Sequence, residues 1–87
     1  MTVIYNNGCY AAVKGQAHYY PEGYSVTSDQ YYGVSCGPTP SYAKIAEAFG
    51  GYSETVEAPG QVEPALRRAL KHVRGGTLAL LDVRLRR

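Results

Sequence analysis

Residues 78–83 read Leu-Ala-Leu-Leu-Asp-Val, six positions of which only one is polar. An amphipathic helix leaves a polar face every turn, and a half-buried strand alternates. A short, nearly continuous apolar run fits neither, and is expected of a strand covered on both faces, which is the central strand of a parallel sheet. Such a strand needs neighbours and crossover helices, and the rest of the chain offers them. Residues 2–6 form a second, shorter apolar run, Thr-Val-Ile-Tyr-Asn. Residues 53–58 (Ser-Glu-Thr-Val-Glu-Ala) alternate weakly and carry Glu54 and Glu57, which suits the edge of a sheet.

Two helices are expected between these strands. Thr39-Pro40-Ser41 supplies a cap and a proline suited to a first turn, and Tyr42, Ile45, Ala46 and Phe49 follow at helical spacing over residues 40–49, up to Gly50-Gly51. Val62, Leu66, Ala69, Leu70 and Val73 mark a second helix over residues 61–74, stopped by Gly75-Gly76, with Pro64 in its opening turn. The reading is an α/β fold, a partial three-layer sandwich whose parallel sheet has three strands in the order 1-3-2, joined by right-handed crossovers. Residues 1–87 suffice for one small domain and leave no room for a second. Gly15, Pro21, Gly23, Gly33, Gly37 and Pro38 break every periodicity, so residues 14–38 are expected to be an irregular loop or lid.

Composition narrows the function classes. A net charge of +2 is mild, and the basic residues Arg67, Arg68, Lys71, Arg74, Arg84, Arg86 and Arg87 gather on one helix and the tail without interleaved aromatics, so no nucleic-acid partner is expected. The two cysteines, Cys9 and Cys36, lack CxxC spacing and neighbouring histidines, which argues against a disulfide scaffold or a structural zinc and fits a cytoplasmic protein. No leader-like segment or membrane-length apolar run is present, and no membrane partner is expected. Tyrosine is over-used, nine against one phenylalanine, and Tyr10, Tyr19, Tyr20, Tyr24, Tyr31 and Tyr32 fall close together, as in a lid or an interface segment, although packing by amphipathic rings is the commoner reason for such a stretch.

The first strand stops on Asn6-Asn7-Gly8. These residues form turns readily, but two amides at the carboxyl end of a strand are also hard oxygen donors where open α/β sheets bind ligands. Together with Pro40-Ser-Tyr-Ala-Lys-Ile-Ala-Glu-Ala-Phe-Gly50 and the closing Ala79-Leu-Leu-Asp-Val83, the stretch Tyr5-Asn-Asn-Gly-Cys-Tyr-Ala-Ala-Val-Lys14 resembles the carboxyl-terminal part of the diphosphate-binding domain of thiamine diphosphate-dependent enzymes, of the acetolactate synthase and benzoylformate decarboxylase type. The resemblance covers nearly the whole chain and implies a truncated thiamine diphosphate-binding fold.

It further implies that Asn7 gives its amide oxygen and Cys9 its backbone carbonyl to a magnesium ion shared with the cofactor diphosphate. Gly8 would let the backbone pass close to the diphosphate, Tyr10 would lie beside it, and Asn6 would fix the turn. Magnesium favours such oxygen donors, and the soft thiol of Cys9 is not suited to it. Pyruvate decarboxylase-like members carry a glutamate six residues after the second asparagine, where this chain has Val13, a cofactor-site position of the other subtype. The Gly-Asp-Gly half of the family's motif, which brings a metal-binding aspartate, is not in this sequence. Nor is the pyrimidine-binding domain, whose glutamate activates the cofactor.

The implied function is part of a magnesium-dependent lyase or transferase acting on 2-oxo acids by decarboxylation or carboligation, with the isolated chain inactive. The implied partners are the upstream part of the same domain and the pyrimidine-binding domain, with self-association of the chain alone. The alternative is a small non-catalytic α/β interaction module that keeps the fold remnant. His18, His72, Cys36 and Asp82 are read as structural, Asp82 as a partner for a nearby backbone group, and none is assigned catalysis.

Overall fold

Three parallel strands form the sheet in the order β1-β3-β2. They are β1 (Thr2–Asn6), β2 (Tyr52–Val56) and β3 (Ala79–Arg84). The computed structural model describes residues 1–31 and 33–85; Tyr32 of the tyrosine-rich stretch and Arg86 and Arg87 of the basic tail lie outside the described residues. Register pairs Ile4 with Asp82 and Asn6 with Arg84 on one side of β3, and Tyr52 with Ala79 and Val56 with Val83 on the other. The apolar run of β3 is central as its composition requires: Ala79, Leu81, Asp82 and Val83 are buried.

The described residues form two compact units, one made of Met1–Asn6 with residues 40–85, the other of Asn7–Thr39. In the first, helix α4 (Val62–Arg74) packs on the sheet face made by Tyr52, Val56, Ala79, Leu81 and Val83. Crossovers of the same hand that run in opposite directions along a sheet put their helices on opposite faces. Helix α3 (Tyr42–Ala48) accordingly touches β2 and β3 through a separate buried pair, Ala43 and Ala46.

Both helices bury alanines, Ala46 and Ala69 of the expected stripes among them, and leave larger stripe residues out. Ala43, Ala46, Ala65 and Ala69 are the buried helical positions, while Ile45, Phe49 and Leu70 of the apolar stripes are exposed. A three-stranded sheet is narrow, and small side chains let a helix axis sit close over it; the longer ones overhang its edges. Helix α3 also starts later than expected, because its cap is Ser41, whose Oγ accepts from Lys44 N at 3.3 Å, and Pro40 stays outside.

The second unit differs from the irregular segment expected over residues 14–38. It contains α1 (Ala11–Gln16), a 3-10 turn at Ala17–Tyr19 and α2 (Tyr24–Ser28). None of these pieces buries a residue. A helix of one or two turns without a buried face has no apolar period, and Gly15, Pro21 and Gly23 fall within or between the pieces, so composition here reads as loop.

Candidate functional site

The Asn7-Gly8-Cys9 turn opens the second unit. Asn7 Oδ1 accepts from the backbone N–H of Cys9 at 3.2 Å, so the amide folds back over its own turn, two residues on. Gly8 makes the geometry possible, with φ at 67°, a left-handed conformation that a Cβ disfavours. Immediately after it the backbone pairs antiparallel with residues 34–36: Cys36 N donates to Gly8 O at 2.9 Å and Tyr10 N to Val34 O at 2.7 Å, with Cys9 opposite Ser35. In a pair of this kind the two facing residues turn their own N–H and C=O away from the partner strand. The Cys9 carbonyl thus faces the same edge as the Cys9 N–H that holds Asn7 Oδ1. The two oxygens read from sequence as metal ligands share one edge of the turn.

Tyr10 caps α1, its own side chain exposed, and the exposed Val13 lies one turn further along that helix. Neither side chain lines the nearby cavity of about 260 Å³, whose walls are Cys9, Ala11, Lys14, Tyr31, Val34 and Ser35. Lys14 was not singled out from sequence. Its Nζ stands 4.7 Å from the centre of the Tyr31 ring, a cation–π contact worth about 0.5–1 kcal/mol at an exposed site. Both cysteines are free thiols.

Asn6 was expected to fix the turn. It is the buried last residue of β1, and its Nδ2 donates to Asp82 Oδ1 at 3.1 Å. Asp82 was expected to serve a backbone group; among the described residues its second oxygen has Arg84 Nε, 3.3 Å away and off hydrogen-bond geometry. That contact is a charge pairing without a directed bond. A lone aspartate inside an apolar strand signals that a partner exists, but not that it lies on a strand 76 residues away. A second cavity, of about 270 Å³, opens at the carboxyl ends of β2 and β3 over Val56, Val62, Val83 and Leu85, and holds none of the turn residues.

On β2 and α4, Arg68 forks onto Glu54 at 2.9 and 2.8 Å, and Tyr52 donates to Glu54 while its ring stacks on His72 at 4.0 Å. The Arg68 bond holds the Glu54 carboxyl below its ordinary value, against the opposing effect of burial. Burial first, then the bond to Glu54, raises Tyr52. This network ties the edge strand to its helix.

The turn's donors are hard oxygens, an amide and a peptide carbonyl. An amide oxygen has two lone pairs, so the bond from Cys9 N–H is compatible with a metal contact. Among the described residues no group of three or more histidine, cysteine, aspartate or glutamate side chains is placed to hold a metal. The residues present fit a magnesium ion that draws further oxygens from a diphosphate, and do not fit a metal held by these side chains alone.

The family described as thiamine pyrophosphate enzyme, C-terminal TPP binding domain, matches residues 1–83, and the chain belongs to it. No curated protein and no solved structure gives a significant match.

Proposed function

We propose that this thiamine diphosphate-binding domain contributes the Asn7-Gly8-Cys9 turn to a magnesium-dependent enzyme acting on 2-oxo acids, of the acetolactate synthase or benzoylformate decarboxylase type. The observation that supports this most is the bond from Cys9 N–H to Asn7 Oδ1, which sets the amide oxygen on the edge faced by the Cys9 carbonyl. Thiamine diphosphate, when bound, supplies the electron sink that lets a 2-oxo acid lose carbon dioxide. Asn7 and Cys9 hold the magnesium ion, Gly8 clears the approach of the diphosphate, and Tyr10 and Val13 flank it with an aromatic and an apolar side chain. The carboxylate that completes the metal shell and the glutamate that activates the cofactor come from outside these residues.

The chain alone should bind magnesium and thiamine diphosphate weakly, since metal affinity depends on a completed shell. Titration calorimetry is expected to give metal-dependent binding in the millimolar range that Asn7→Ala abolishes. Binding indifferent to Asn7→Ala would refute the assignment.

A second reading, a binding module, draws support from the tyrosines: Tyr19 and Tyr20 are 83% and 75% exposed. It requires that the tyrosines be protected by a partner, and not by the cofactor, in a footprinting experiment.

A further inference from the structure

The only two cysteines of the chain, Cys9 and Cys36, are free thiols that the second unit brings onto facing backbones. Cys9 stands opposite Ser35, and Cys36 opposite Gly8, in a pairing framed by the bonds from Cys36 N to Gly8 O and from Tyr10 N to Val34 O. The two cysteines are therefore diagonal neighbours, one position out of register, with their side chains on opposite faces of the ribbon. Gly8 offers Cys36 no side chain across the ribbon, and Cys36 Sγ turns back over its own strand, 4.0 Å from Val34 O. Register is strongly specified where one face of a pairing is buried. Here neither face is: residues 7–10 and 34–36 are half-buried or exposed, and the pairing is an isolated bridge. A slip of one position sets Cys9 directly across from Cys36, where facing residues of an antiparallel pair come within the Cα separation that a disulfide spans.

We propose that Cys9 and Cys36 form a reversible disulfide that closes the base of the Asn7–Thr39 unit in the shifted register. The oxidant is a small disulfide of the glutathione class. Cys36, the exposed thiol, attacks one sulfur of the oxidant, whose S–S bond breaks and releases one thiol that takes up the proton Cys36 loses. The half-buried Cys9 then attacks the Cys36 sulfur of the mixed disulfide, and the second small thiol leaves with the Cys9 proton. Two protein thiols are oxidised, and one disulfide is reduced to two thiols. An exposed pair on a ribbon that must shift to join belongs with the labile, redox-responsive disulfides and not with the structural ones. The slip gives up the bond from Cys36 N to Gly8 O, so oxidation also alters the turn that contains Gly8.

The test equilibrates the 87-residue chain with mixtures of reduced and oxidised glutathione, in buffer and in urea, with acid quenching and mass spectrometry of the peptides. The expected product is an intramolecular Cys9–Cys36 disulfide, fully reversed by excess reduced glutathione. Its equilibrium constant against glutathione should be at least about tenfold higher in buffer than in urea, because the fold raises the effective concentration of one thiol at the other above that of a flexible loop. In 15N NMR spectra the oxidised chain should shift Gly8, Cys9, Ser35 and Cys36 and leave β2 and β3 unchanged, and Cys9→Ser should stop at the mixed disulfide on Cys36. An equal or smaller constant in buffer than in urea would overturn the proposal, because it would mean that the ribbon keeps the thiols on opposite faces. Oxidation of the parent chain only to disulfide-linked dimers, or to a stable mixed disulfide, would overturn it as well.

Discussion

The side-chain amide of Asn6 donates to Asp82 Oδ1 across 3.1 Å, joining the end of the edge strand β1 to the middle of β3 beneath a surface that leaves Asp82 fully buried. Because the other Asp82 oxygen has no directed bond among the described residues, Asn6 is the hydrogen-bond partner of a buried carboxylate. Asn6→Ala is expected to cost about 2–3 kcal/mol by urea denaturation, as removing one partner of a charged, buried hydrogen bond does. Asp82→Asn keeps an acceptor for Asn6 and should cost less. The opposite ranking would show that the bond does not hold β1.

How much of this was legible in the sequence follows from the kind of signal each feature leaves. The apolar run of β3 and the glutamates of β2 predict the strand order, because burial on two faces against one is written in composition. The helices α3 and α4 are legible from spacing, and Ala46 and Ala69 of their stripes are buried as expected, but Ile45, Phe49 and Leu70 have the stronger hydrophobic signal and stay exposed while Ala43 and Ala65 are buried, because the sheet is narrow. Helices α1 and α2 leave no periodic trace. The turn at Asn7-Gly8-Cys9 was readable from its residue types, whereas the Lys14 cavity depends on Tyr31, Val34 and Ser35 lying beside α1, a contact that no local pattern encodes.

Gly8 adopts a left-handed conformation, and its carbonyl accepts from Cys36 N. Gly8→Ala should therefore cost about 1 kcal/mol locally. Hydrogen exchange at the Cys36 amide is the sensitive readout: it should quicken in the variant while the β3 amides are unchanged. Unchanged exchange at Cys36 would mean that the turn does not need glycine.

The Glu54–Arg68 pair predicts a sign for the acid dependence of stability. Glu54 titrates below its ordinary 4.5 in the folded chain, so its contribution is present above that value and is lost as pH falls through the folded pKa. Tyr52 titrates above its ordinary 10.0, so its contribution is present below that value and is lost as pH rises through the folded pKa. Stability should be flat between these limits and fall on both sides. The acid loss is small, since the Arg68 and Glu54 side chains are 51% and 25% exposed, and salt weakens it further. Glu54→Gln should flatten the acid limb of denaturation curves taken across pH; an acid limb unchanged in that variant would assign it to other carboxylates.

β1 is an edge strand of the sheet, and Tyr5 and Phe49 are 76% and 78% exposed. An open strand edge with apolar side chains templates association. Light scattering on eluting chain should give a mass above the monomer that grows with concentration, and Val3→Lys with Tyr5→Lys should return it to monomer. A monomer at every concentration with a sharp cooperative melt would favour the free-standing module.

The central claim is that the Asn7-Gly8-Cys9 turn holds the metal of a bound thiamine diphosphate. Manganese takes the same oxygen ligands as magnesium and broadens nearby NMR signals. With manganese and thiamine diphosphate added to the chain, the amides of Asn7, Gly8 and Cys9 should broaden first, and Asn7→Ala should remove the effect. Broadening centred on Glu54, Glu57 or Glu63, with the turn signals sharp, would contradict it.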